Sequence, residues 1–255
     1  MPSLVHPREQ TYFVVCLVWS ALVYLGLLVS LIGILYLIVG AVIIALGQGL
    51  LVGAFRGNAV RVSETQFPDL HRLNQQITQQ LNLTPPPVYV IQGGGLLNAF
   101  ATWFFSRGFV VLYADVLELA YEEGEPAVAF VLCHELAHLK RRHVQSQWLI
   151  YPALLTPFVG AAYLRACEYT CDRYGAYYQP SGAAPGLLLL AAGKKLYRRV
   201  DAPAFAGQVA TETGFWIRFA ELLSSHPTLP KRVRAVEETQ NLIRAQFTPV
   251  QGEGI

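Results

Sequence analysis

Residues 127–142 read AVAFVLCHELAHLKRR, and the five residues His134-Glu135-Leu136-Ala137-His138 within them organise the reading of the whole chain. Val128, Phe130, Val131, Leu132, Leu136 and Leu139 surround the five, with Pro126 just ahead, and predict a mostly buried helix. On a helix, positions i and i+4 project from one face one turn apart, so His134 and His138 reach a common point. Two histidines and a glutamate are costly on a buried helix unless they are paired or bound to metal. Neutral imidazoles suit Zn²⁺, and Glu135, on the adjoining strip, is placed to take a proton from a water polarised by that ion. A chance match on a surface helix would lack these apolar flanks.

Catalytic zinc takes three protein ligands and leaves a fourth position for water. The third is sought in RACEYTCDRYGA, residues 165–176, where Glu168 and Asp172 are again i and i+4. Glu168 is the candidate ligand. Asp172 is the candidate acceptor for the second ring N–H of a ligand histidine, the contact that fixes its tautomer. A competing reading makes both carboxylates ordinary ion-pair partners of Arg165 and Arg173.

HELAH followed by ExxxD on a second helix resembles the membrane-embedded gluzincin peptidases of the HtpX-like and CAAX-prenyl-protease type. Two further marks stand in the same order: Leu97-Asn98-Ala99-Phe100-Ala101 ahead of the metal helix, and Ser225-His226-Pro227 with Arg232 after the second helix. Together the four motifs cover residues 87–236. The resemblance implies a zinc endopeptidase with one Zn²⁺ per chain. It also implies that a peptide substrate lies along the sheet edge at Asn98, Ala99 and Phe100, and that His226 supports the oxyanion. One departure is plain. HtpX-type chains carry further hydrophobic spans between the two helices, whereas here residues 139–167, 29 in all, separate His138 from Glu168. That is too short for two spans of ~20 residues each.

The composition, 53% hydrophobic and 14% charged, is not that of an average soluble protein. From Thr11 to Phe55 there is no Asp, Glu, Lys or Arg. That length fits two transmembrane helices, at about 11–31 and 34–55, with a tight turn between them, and is far too long for a signal peptide. A hairpin leaves both ends on one side. Arg8, Arg56 and Arg61 flank the spans and the turn is uncharged, so the rest of the chain is expected in the cytoplasm. Gly26, Gly33, Gly40 and Gly47 recur every seven residues, a spacing that permits close helix packing in lipid but also arises by chance. The net charge of +2 says little about partners, and with no dense basic patch or known binding motif nothing reads as a nucleic-acid surface. The four cysteines form no CxxC pair and agree with a reducing compartment; Cys171, three residues from Glu168, is the one placed to approach the metal.

Elsewhere, residues 67–83 read as a helix with Leu70, Leu73, Ile77 and Leu81 on one side. Residues 88–91 read as a strand, 97–105 and 109–113 as a hairpin, and 114–121 as a helix. His143 reads as rotated far from the ligand face, a solvated or helix-end residue. The apolar stretch 148–164 contains Pro152 and Pro157. If it crossed the bilayer it would carry Glu168 to the face opposite His134, so it is expected to kink and lie in or along the surface. Residues 179–186 read as a linker, 187–200 as a helix with a basic end, 201–214 as a loop or flap, and 215–223 and 230–246 as helices.

The expected fold is α+β. A helical hairpin (1–56) precedes a mainly helical zincin-type metallopeptidase domain with a small β-sheet (57–247) and a flexible tail (248–255). Expected partners are a polypeptide substrate, a membrane protein among the candidates, and the lipid bilayer. Rival readings are a non-catalytic scaffold of the same fold, against which Glu135 speaks, and a hydrolase of a non-peptide substrate, against which the edge strand speaks.

Overall fold

The computed structural model describes residues 3–93, 99–104, 107–123 and 126–247. Two long helices come first, α1 (Glu9–Val29) and α2 (Leu31–Asn58). Ser30 turns the chain between them: its backbone is extended and its Oγ accepts the Gly33 N–H at 3.3 Å, capping α2. Both helices are long and apolar enough to cross a membrane. They leave Val29, Leu31, Leu35, Ile43 and Leu50 exposed, a density of outward apolar side chains unusual on a protein bathed only in water. A Cβ placed on Gly26, Gly40 or Gly47 meets nothing within 4 Å, whereas one on Gly33 would collide with the Leu27 carbonyl oxygen at the turn.

Next come β1 (Val60–Arg61), α3 (Pro68–Gln80), β2 (Val88–Ile91), β3 (Ala99–Phe104) and β4 (Arg107–Tyr113). The four strands form one sheet in the order β1-β2-β4-β3. β2 and β4 are parallel, and the other two pairs are antiparallel. β3 takes the outer edge, with Ala99 opposite Leu112 and Ala101 opposite Val110. Side chains alternate between the two faces of a strand. Val88, Val90, Val110 and Leu112 therefore enter the main core, while Tyr89, Phe109 and Val111 meet Val52 and Phe55 at the end of α2. The second apolar helix thus docks directly on the sheet.

The remaining helices are α4 (Ala114–Glu123), α5 (Pro126–Lys140), α6 (His143–Ser146), α7 (Tyr151–Leu155), α8 (Val159–Tyr178), α9 (Ala183–Ala192), α10 (Ala202–Thr211), α11 (Phe215–Leu223) and α12 (Leu229–Phe247). α5 runs through the centre, buried from Ala127 to Ala137 without a break. α8 and α9 close on it at two glycines. A Cβ on Gly175 would stand 2.5 Å from the Phe130 ring and one on Gly186 2.6 Å from it, so only hydrogen fits on either side of that ring.

Three segments differ from the sequence expectation. Residues 179–186 are no linker, because a single 3₁₀ turn at Pro180–Gly182 leads straight into α9. Nor are 187–200 one helix. α9 stops at Gly193, whose φ of 77° is the left-handed geometry that ends helices, and Lys194 then pairs with Asp115 and Glu118. Residues 201–214 hold α10 instead of a loop; Asp201 caps it by accepting the Ala204 N–H at 2.7 Å, and α10 packs on α12.

The apolar stretch 148–164 is kinked, as the two prolines predict. α7 ends at Leu155, and α8 begins only after the irregular residues Thr156 to Phe158. The stretch lies beside α1. Ala153 N–H donates to Ser20 Oγ at 3.1 Å, Trp19 Nε1–H to Thr156 Oγ1 at 2.9 Å, and Tyr24 O–H to the Trp148 carbonyl at 3.2 Å. At ~1.5 Å per helical residue, Ser20 to Tyr24 covers ~6 Å of α1. The chain turns back along the first helix and returns to the domain in time to place Glu168.

Candidate active site

Two buried helices build the site. From α5, His134 and His138 bring their Nε2 atoms to 3.3 Å from each other. From α8, Glu168 sets Oε2 at 3.4 Å from His134 Nε2 and Oε1 at 3.4 Å from His138 Nε2. The two imidazole nitrogens and the Glu168 carboxylate thus converge, each nitrogen meeting a different oxygen of the carboxylate. A tetrahedral ion with bonds of ~2.0–2.1 Å requires neighbouring donors ~3.3–3.4 Å apart. The match, and the facing of two imidazole nitrogens across a carboxylate, fit a Zn²⁺ ion.

Asp172, one turn beyond Glu168, places Oδ1 at 3.0 Å from His134 Nδ1. Arg232 from α12 grips that carboxylate with two bonds, Nε–H to Oδ2 at 2.8 Å and Nη2–H to Oδ1 at 2.7 Å, and sets Nη1 at 3.3 Å from Glu168. Burial alone would raise the pKa of Glu168, but the Arg232 charge and the two imidazoles outweigh it and hold the carboxyl well below its usual range. Asp172 is held down by the same guanidinium against the same burial penalty. The carboxylates in turn overcome burial at His134 and raise its pKa to about 10, the signature of a negative field that favours a cation. The competing partners are elsewhere: Arg165 donates to carbonyls of Glu221, Leu222 and Ser224, and Arg173 to the Val5 carbonyl.

Glu135 faces the sheet. Its Oε2 accepts the Ala101 backbone N–H at 2.7 Å, which ties the carboxylate to the free edge of β3. Ala99, Glu135, His134, Glu168 and His226 line a cavity of about 150 Å³. His226 stands at its exposed mouth, with Nε2 3.5 Å from Glu168 Oε1 and Nδ1 2.9 Å from Ser225 Oγ. Phe100 lies on the other side of the sheet, its ring 5.1 Å from that of Phe55 and 6.4 Å from that of Tyr113, away from the cavity. Asn98 falls outside the described residues.

Two features of this region are not legible in the sequence. Arg232 enters the motif reading only as a companion of Ser225-His226-Pro227, yet it is the buried cation that neutralises both acidic residues. His143, expected in solvent, is only 3% exposed. The helix breaks at Arg142, whose φ is 58°, and this redirects His143 beneath His138, with the two Nδ1 atoms 3.2 Å apart. Uninterrupted α-helix geometry, on which that expectation rests, does not hold past Lys140. Cys171 does approach the cluster, its Sγ 3.7 Å from His143 Nδ1. Burial and the nearby Glu168 charge raise its thiol pKa well above the ordinary value, and donor atoms of Cys171, His134 and His138 lie within 4.8 Å of one another.

The chain is similar to known proteins. The model of peptidase family M48 matches residues 64–240. Among curated relatives, the "Protease HtpX homolog" of Syntrophobacter fumaroxidans is 26% identical over 219 residues, 68% of this chain and 77% of that one. The protein of the same name from Pyrococcus furiosus is 26% identical over 225 residues, 71% and 76% of the two chains. A third, from Trichormus variabilis, reaches 34% over 87 residues, 34% and 29% of the two. The family match runs over β2, β3, β4 and every helix that contributes a side chain to the cluster, and the chain belongs to peptidase family M48, as a metallopeptidase.

Proposed function

We propose that the protein is a membrane-anchored zinc endopeptidase in which His134, His138 and Glu168 hold one Zn²⁺, Asp172 orients His134, and Glu135 is the general base. The observation that carries this reading is the set of 3.3–3.4 Å separations among the three donors, with Glu135 bonded to the strand edge beside them. Zinc, when bound there, supplies Lewis acidity toward water and the scissile carbonyl. Glu135 accepts the proton of the attacking water and returns it to the leaving amine. An extended peptide adds to the outer edge of β3 at residues 99–101, main chain to main chain, which sets the scissile bond over the cavity. His226 donates to the oxyanion from the cavity mouth, with Asn98 as a second donor.

The domain division follows: a membrane anchor at 1–56, the peptidase domain at 57–247, and a tail at 248–255. Substrates in this reading are polypeptides, membrane proteins in need of removal among them. The test is N-terminal proteomics on membranes carrying the active protein or its Glu135→Gln variant. New amino termini that depend on Glu135 are the expected result; identical profiles would reject the peptidase reading.

The flanking arginines support a cytoplasmic peptidase domain in this reading. Reporter fusions after Gly57 and at Ile255 should both give cytoplasmic signals, and a fusion at Ser30 the opposite one. Opposite signals at Gly57 and Ile255 would require a crossing between them and would remove Glu168 from the site.

A further inference from the structure

His143 and Glu9 are buried, polar and outside every role assigned above. Glu9 opens α1, the first apolar helix, 5% exposed and far in sequence from the metal cluster. Its Oε1 accepts from Arg141 Nη2 at 2.8 Å and lies 3.3 Å from His143 Nε2. Its Oε2 accepts the Thr170 hydroxyl, and Thr170 Oγ1 in turn accepts the His6 N–H at 2.9 Å. On its other side His143 presents Nδ1 to Nδ1 of His138 at 3.2 Å. Among the described residues, His143 Nε2 makes no hydrogen bond, and the Glu9 carboxylate 3.3 Å away is the acceptor beside it.

The hydrogens along this line have one consistent arrangement. If His138 offers its Nε2 lone pair to zinc, its proton is on Nδ1 and needs an acceptor. His143 can accept at Nδ1 only as the neutral tautomer that carries its proton on Nε2. A carboxylate 3.3 Å from Nε2 favours this tautomer. A neutral ring is also the form that burial favours.

We infer that Glu9 and His143 are positioning residues for the metal centre: the carboxylate at the head of the first apolar helix fixes the His143 tautomer, and His143 fixes the orientation of His138. His134 and His138 then have different supports, an aspartate within the peptidase core and a histidine–glutamate pair that reaches into the membrane anchor. The anchor would thereby contribute to metal affinity as well as to location. This inference rests on the proposed zinc ligation by His138.

The test uses the full-length protein in detergent, stripped of metal and titrated with Zn²⁺ against a chelating competitor. His143→Leu should raise the zinc Kd by about 10–100-fold. His143→Asn, whose Oδ1 falls near the position of Nδ1, should recover most of that loss, and Glu9→Gln should fall between. Long-range ¹H–¹⁵N spectra of the zinc-loaded wild-type protein should show the proton of His143 on Nε2 and that of His138 on Nδ1. This second readout decides the matter if His143→Leu does not fold. A proton on His143 Nδ1, or a folded His143→Leu with unchanged Kd, would overturn the inference. Two zinc ions per wild-type chain would also overturn it, since Glu9, His143 and Cys167 have donor atoms within 4.8 Å of one another and would then be ligands themselves. A His134→Ala/His138→Ala double variant separates the two levels. If it keeps stoichiometric zinc, the ligand assignment itself fails; if it loses zinc while His143→Leu binds normally, only the positioning role fails.

Discussion

Glu135→Gln should lower turnover of a peptide substrate by ~10²–10⁴-fold while the protein stays folded and keeps its zinc. The side chain lies beside the three donors without being one of them, and its Oε2 is held by the Ala101 N–H at 2.7 Å. A glutamine can keep that bond through its amide oxygen, so the geometry of the strand edge should survive. What it cannot do is accept a proton from water. The measurement is kcat alongside zinc content and a thermal melt for both proteins. Activity within about tenfold of wild type would move the general base to another residue, and loss of zinc would make Glu135 part of the donor set.

Glu168→Gln and Asp172→Asn should fail in different ways, although both are buried carboxylates on one face of α8. Glu168 meets both imidazole Nε2 atoms at 3.4 Å. Neutralising it removes the anionic donor from a site whose other two donors are neutral, so zinc should be lost or held far more weakly. Asp172 meets His134 only at Nδ1, the nitrogen that faces away from the cluster. The Asp172→Asn change keeps an acceptor there and weakens the Arg232 clamp, so the expected cost is ~10–100-fold in affinity or activity. Zinc titration of both variants, with activity measured at saturating metal, distinguishes them. If Asp172→Asn loses the metal and Glu168→Gln retains it, the two roles are reversed.

The parts legible in the sequence are those whose signal is local and periodic. The i, i+4 pairs His134/His138 and Glu168/Asp172 needed only that each segment be helical, and the apolar residues around them ensured that. The uncharged run from Thr11 to Phe55 needed only length, and β2 and the β3–β4 hairpin only alternation and a turn. The misread segments are those where one residue changes the backbone course. Gly193 ends α9 in a stretch that otherwise continues as a helix. Asp201, with Pro203 two residues on, caps and starts α10 inside what composition alone describes as a loop.

The sequence by itself determined that two helices each present a pair of polar groups on one face, and that an apolar hairpin precedes them. It could not determine what those groups face. Arg232 lies 60 residues beyond Asp172 in the chain, and Glu9 lies 134 residues before His143 (143 − 9), so no spacing rule links either pair. Tertiary structure decided both. Charges carried into a low-dielectric interior must find partners there, and the partners are whichever residues the packing of α1 and α12 against α8 delivers. The same packing fixed the direction of His143, because the break at Arg142 matters only once α8 and the start of α1 are in place to receive the ring.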